Sequence, residues 1–163
     1  MLRKLLPGSG GGGVPRYVFL AGLGIGALFL AYYYSRGLTV AHYDAKAHLL
    51  VARRIVDALE PGYAQMGAQW LPLIHLLYLP FVLFDAQYRS GLLPSLISVL
   101  GFALSGALVY RISLRVTGSG AAALFSAVLL VANPNLLYLQ SCPLTEPVFM
   151  ALFLLALDRL LEW

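Results

Sequence analysis

"YVFLAGLGIGALFLAYYY", residues 17–34, carries no charged side chain from end to end. As a helix, such a run crosses about 30 Å of hydrocarbon with little tilt. Its closing tyrosines, Tyr32 to Tyr34, suit the headgroup boundary, where rings with one polar edge collect. A secretory signal peptide is the rival reading. The length of the run, and the lack of a small-x-small cleavage site after Tyr34, favour an uncleaved anchor. Before it, residues 1–16, "MLRKLLPGSGGGGVPR", are basic and then Gly-rich, which predicts a flexible arm.

The whole composition agrees with this stretch. The chain has 163 residues, of which 60% are hydrophobic and 11% charged, and its mean hydropathy is +0.80. An ordinary soluble domain is nearer half apolar and a quarter charged, so a soluble fold is excluded first and the bilayer becomes the natural solvent. The net charge of +4 is scattered around apolar runs. It reads as topology signals and anchors, with no nucleic-acid partner. The single cysteine, Cys142, rules out an internal disulfide framework and a multi-cysteine metal site; it reads as a small apolar filler.

Outward from residue 34, a second clear span covers 92–110, "LLPSLISVLGFALSGALVY". Gly101 and Ser105, like Ala103 and Ala107, are four apart, which lets another helix approach closely. A third span starts at Gly120 and is interrupted at "NPN" (Asn133, Pro134, Asn135); a fourth covers about 147–161. Both are short and borrow from their connection, so the third is drawn at about 120–137. Residues 70–84, "WLPLIHLLYLPFVLF", are apolar but brief and contain Pro72, His75 and Pro80, the pattern of a re-entrant or interfacial segment. With Arg3, Lys4 and Arg16 inside, this segment decides the topology. If it does not cross, Arg111, Arg115 and Arg159 fall inside as well, as the positive-inside rule prefers. If it crosses, Arg111 and Arg115 fall outside. The expected fold is therefore all-α: a polytopic transmembrane bundle of about four spans, with an extracytoplasmic loop over 35–91 and a cytoplasmic N-terminus.

That loop concentrates charge in "AHYDAKAHLLVARRIVD", residues 41–57. Read as a helix over 44–60, it places Leu49, Ala52, Ile55, Val56 and Leu59 on one face, and Lys46, Arg53, Asp57 and Glu60 on the other. Pro61 and Gly62 stop it. Such a helix suits a membrane surface. Asp44 and His48 sit together at the border of the apolar stripe. Asp44 near the N-terminus is favoured by the helix dipole and is also a candidate N-cap.

Residues 42–82, "HYDAKAHLLVARRIVDALEPGYAQMGAQWLPLIHLLYLPFV", followed by 133–157, "NPNLLYLQSCPLTEPVFMALFLLAL", resemble bacterial polytopic glycosyltransferases of the GT-C class. The nearest relatives by this resemblance are glycosyltransferase family 39 or PMT-like membrane proteins, and it covers 17–161. Asp44 matches the acid of the first extracytoplasmic loop, "WLPLIH" (70–75) the proline-containing apolar segment, and "TEP" (145–147) the turn before a later span. Many members carry Asp-Glu at the loop acid; here Ala45 follows Asp44, so the metal-binding or second-acid role assigned to that Glu in some relatives has no match at this position.

The resemblance implies sugar transfer from a polyprenyl-phosphate donor to an acceptor at the extracytoplasmic face of the bacterial inner membrane. Asp44 is then the candidate catalytic base. Arg53 and Arg54 are the candidates for the leaving phosphate, since guanidinium forks match phosphate oxygens. Arg53 is also four residues before Asp57, the spacing of a helix-surface ion pair. His48, His75 and Glu146 complete the substrate-binding candidates. His75 is a polar ring in an apolar segment, held either by a backbone hydrogen bond or by a cavity. Glu146 either caps the last span or faces the cavity. No cofactor is expected. A divalent metal is the open alternative, although His42 and His48 stand at no compact ligand spacing.

The last apolar run, "LLALDRLLEW" (154–163), closes within or just after a span, whereas the class carries many more. An N-terminal fragment, inactive by itself, is the expectation. Two other function classes stand beside it: a non-catalytic membrane scaffold or assembly subunit, and part of a transporter. No charge in the middle of a confident span and no internal repeat count against transport.

Overall fold

The computed structural model describes residues 13–67 and 70–163. Arg3, Lys4 and most of the expected arm lie outside the described residues. The described chain is all-α, with no strand among the described residues: α1 (Gly13–Ser35), α2 (Tyr43–Arg54), a 3-10 turn (Tyr63–Met66), α3 (Pro72–Val82), α4 (Asp85–Ser90), α5 (Leu92–Thr117), α6 (Gly120–Val131), α7 (Pro134–Leu139) and α8 (Glu146–Glu162).

Among the described residues two helices, α1 and α5, are long and apolar enough to cross a membrane. Helix α1 begins at Gly13 rather than after residue 16, because Pro15 tolerates a first turn, where its missing N–H is not needed. Of the four expected spans, the later two are shorter helices. Helix α6 has 12 residues, about 18 Å, and α8 has 17, about 26 Å. Helix α6 stops because Pro134 disfavours a helical residue before it. Asn133 instead caps α7, its side-chain oxygen accepting from the N–H groups of Asn135 and Leu136 at 3.0 and 3.2 Å. Helix α3, with 11 residues, spans about 16 Å, half of a hydrocarbon core.

Helix α5 is the axis. Eleven of its positions 95–110 are buried, with Leu96 and Leu100 left exposed, and three helices close on it through small residues. On α1, Gly22 lies against Ala103, and Gly26 against Val99 and the Gln140 side chain. Descending numbers on one helix against ascending numbers on the other make the pair antiparallel. Helix α6 returns antiparallel too, with Ala123 and Ala127 packed on Tyr110. Helix α8 runs parallel to α5. A Cβ on Gly101 would sit 2.6 Å from the Pro147 carbonyl oxygen, and further along both helices Arg111 meets Asp158. Gln140, wholly buried, stitches the bundle by donating to the Gly26 and Leu137 carbonyls at 3.3 and 3.0 Å.

The bundle is thereby polar in direction. At the Ser35 and Leu92 end lie α2, α3, α4 and the turn before α8. At the other end lie Arg16, Arg111, Arg115 and Arg159. Leu49 and Ala52 of α2 pack on Ile74, Tyr78 and Val82 of α3, with Ile97 and Val148 against them. Gly91 joins α4 to α5 with φ +66°; a Cβ there would also meet Val40 and Pro143, so glycine is needed twice over.

The expected surface helix over 44–60 is shorter than the pattern predicts, running from Tyr43 to Arg54. The Ile55 carbonyl accepts from Gly62 N–H at 2.9 Å, while the Val56 and Asp57 N–H groups turn back to the Arg53 carbonyl. The chain therefore folds over itself six residues before Pro61. Val56 and Leu59, assigned to the apolar face, are exposed.

Candidate functional site

Helix α2 is capped by His42, not Asp44. His42 has extended backbone angles, and its Nδ1 accepts from the Asp44 N–H at 3.3 Å. Asp44 occupies the first turn, where the helix dipole favours an acid. Its carboxylate is half exposed and stands 3.9 Å from His42 Nδ1.

One turn on from Asp44, His48 points inward and meets the other half of the site. Its Nδ1 lies 3.1 Å from Nε2 of His75 on α3, and its Nε2 lies 3.0 Å from the Thr145 hydroxyl. The Trp70 ring covers His48 at 4.8 Å between centroids. Both histidines are buried, and His75 Nδ1 has no hydrogen-bond partner. Thr145, His48 and His75 thus form one chain with two proton arrangements. In the first, the hydroxyl donates to His48 and His48 to His75. In the second, both bonds reverse and His75 Nδ1 is left as a bare acceptor. Burial lowers the pKa of His48, with Asp44 opposing that shift. Burial, reinforced by neighbouring His48, pushes His75 down to about 4. Both rings are therefore neutral near pH 7. They hold and pass protons but supply no positive charge to an anion.

The structure joins His48 and His75 and places Asp44 one turn from them. Glu146 is the exposed first residue of α8, beside Thr145, where the dipole favours it. Arg53 and Arg54 sit at the far end of α2, about 15 Å along its axis from Asp44. Arg53 is occupied by Asp57 at 2.7 Å, Asp85 at 3.0 Å and the Val82 carbonyl, which ties α2 to α3 and α4. Arg54 donates to Gln65 at 2.9 Å.

The cations that face open space are others. A cavity of about 340 Å³ between α2 and α4 has Tyr43, Leu49, Leu50 and Tyr88 in its wall, and Lys46 and Arg89 at it. Neither cation forms a salt bridge among the described residues. Sequence reasoning placed Lys46 on a solvated face and gave Arg89 no role. No spacing rule links them, because 43 positions and the whole of α3 separate them along the chain. Thr145 and Trp70 were likewise quoted within motifs but given no chemistry. Among the described residues, no three His, Cys, Asp or Glu side chains come together as a metal site.

No known protein family, curated protein or solved structure matches this chain.

Proposed function

We propose that the chain is the N-terminal part of an integral-membrane glycosyltransferase, moving a sugar from a polyprenyl-phosphate donor to an acceptor hydroxyl at the extracytoplasmic face. In this reading the N-terminus is cytoplasmic, α1 and α5 cross the bacterial inner membrane, and α6–α7 and α8 complete about four passes. Residues 36–91 then form the outer cap, with α3 lying in the interface. In that orientation six of the eleven Lys and Arg residues fall inside and five outside, a slight bias in the sense of the positive-inside rule.

One observation carries the proposal. A half-exposed carboxylate, Asp44, opens the same helix whose flank, with α4, bounds an apolar cavity holding two unpaired cations. A lipid phosphate needs that combination: cations for its oxygens and apolar surface for its first prenyl units. As the acceptor oxygen forms its bond to the anomeric carbon, Asp44 takes the hydroxyl proton. The carbon–oxygen bond to phosphate breaks, and the polyprenyl phosphate leaves with the electron pair. Lys46 and Arg89 meet the charge that grows on it. They replace Arg53 and Arg54 in that role, because Arg53 is committed to two carboxylates and both lie at the wrong end of α2. Glu146 is exposed at the same end of the bundle, and the His48–His75 pair is buried close by under Thr145; being neutral, the pair positions rather than neutralises.

The test is Asp44→Asn, assayed in membranes for transfer from labelled polyprenyl-phosphate hexoses. Loss of a general base costs on the order of 10²–10⁴-fold in rate. Unchanged turnover at normal expression would remove Asp44 from the mechanism.

A further inference from the structure

The opposite end of the bundle holds a second charge cluster that the transfer chemistry does not use. Asp158 of α8 is wholly buried, and three guanidiniums converge on it: Arg111 at 2.9 Å, Arg115 at 3.4 Å and Arg159 at 3.3 Å. Arg159 also pairs with Glu162 at 2.7 Å. Counting both acids, positive charge is in excess. Each guanidinium has five N–H donors, and the recorded partners use few of them; Arg115 makes a single hydrogen bond, to Asp158 Oδ1. The arginine side chains are 32%, 21% and 56% exposed, so their remaining donors must be met from outside the protein.

We propose that this cluster is a binding site for the phosphate of an anionic phospholipid. Two features select a lipid. Arg111 and Arg115, two-thirds or more buried, are paired to a buried carboxylate between two packed helices, so part of their ordering is already made before any ligand arrives. Around them, Val116, Leu160 and Trp163 are exposed and apolar, at the ends of the same two helices. A headgroup on the guanidiniums therefore places acyl chains against an apolar rim. The C-terminal ends of α5 and α8 carry partial negative charge, which the three arginines outweigh. The site rests on the reading that the bundle crosses a bilayer and is independent of the sugar-transfer chemistry.

The experiment uses the full chain carrying Trp70→Phe, which leaves Trp163 as the one tryptophan of the two in the sequence. The protein is reconstituted in phosphatidylcholine vesicles containing bromine-labelled phosphatidylglycerol or, separately, bromine-labelled phosphatidylcholine. The labelled phosphatidylglycerol should quench Trp163 with about a fivefold higher apparent affinity, the equivalent of about 1 kcal/mol. Arg115→Gln should remove most of that preference. Arg159→Gln, at an exposed position less needed for folding, should reduce it. Asp158→Asn separates an organised site from bulk charge: it should lower the preference by releasing the arginines, whereas a rise would show that net charge alone acts and would overturn the site. Equal quenching by both lipids overturns the proposal while leaving the membrane reading intact. No quenching by either overturns both. Loss of preference in inorganic phosphate, but not in chloride at equal ionic strength, reassigns the ligand to free phosphate and overturns the lipid.

Discussion

His75 is wholly buried and holds its neighbour's nitrogen, so protonating it in place is costly. Its folded pKa of about 4 lies below the unfolded value of 6.5. As the pH drops below about 6.5 the unfolded chain takes up the proton first, and native stability declines. The decline continues to about pH 4 and levels off once the native ring is protonated too. The ceiling on this contribution is about 3 kcal/mol. The thermal midpoint in detergent should fall across that window and stay flat from pH 7 to 8, and His75→Gln should flatten the acid limb. A midpoint indifferent to pH between 4 and 6.5 would mean that the ring is not buried as described. The sequence marked His75 as a ring that needs a partner, but not which partner. His48 and His75 are separated by 27 positions, and each alone reads as an isolated polar ring. Asp158 was hidden for the opposite reason: in "LLALDRLLEW" it looks like part of a charged helix end, and only packing on α5 shows it to be buried.

At the scale of elements, close approach is the rule. Gly101 faces α8 backbone, with the Pro147 oxygen 2.6 Å from where a Cβ would sit, whereas Gly24 has open space at that point. Gly101→Ala should therefore destabilise by about 1–3 kcal/mol, as overpacking does, read as an earlier unfolding midpoint in detergent. Gly24→Ala should hold or raise the midpoint, because alanine is the better helix former. Equal midpoints for the two variants would refute the α5–α8 contact. The Gly101/Ser105 spacing made close packing on α5 legible, but not the partner: Ser105 spends its hydroxyl on the Gly101 carbonyl of its own helix at 2.8 Å. Helices α1 and α5 were readable because uninterrupted apolar runs leave no other solution. The length of α2 was not, since its apolar period continues to Leu59 while the helix ends at Arg54.

For the molecule as a whole, the decisive property is direction: Asp44, Glu146, the histidines and the cavity at one end, the Asp158–arginine cluster at the other. Cysteine substitution reads it directly. Native Cys142 is buried, and burial pushes its thiol up to about 11, so it stays silent towards maleimide. Asp44→Cys should react with an impermeant maleimide in intact cells, and Thr117→Cys only after permeabilisation. Labelling of position 44 from the cytosol alone would end the transferase proposal.

The Gln140–Gly26 bond has a consequence in time. Position 140 leaves the ribosome about 100 residues after α1 is complete, on the order of 5–20 s at usual synthesis rates. Helix α5 follows first and covers the glycine-notched side of α1 at Ala103 and Val99, but the pair waits for Gln140 to tie it to the rest of the chain. A premature stop between residues 118 and 139 would leave the two helices packed together without that clasp.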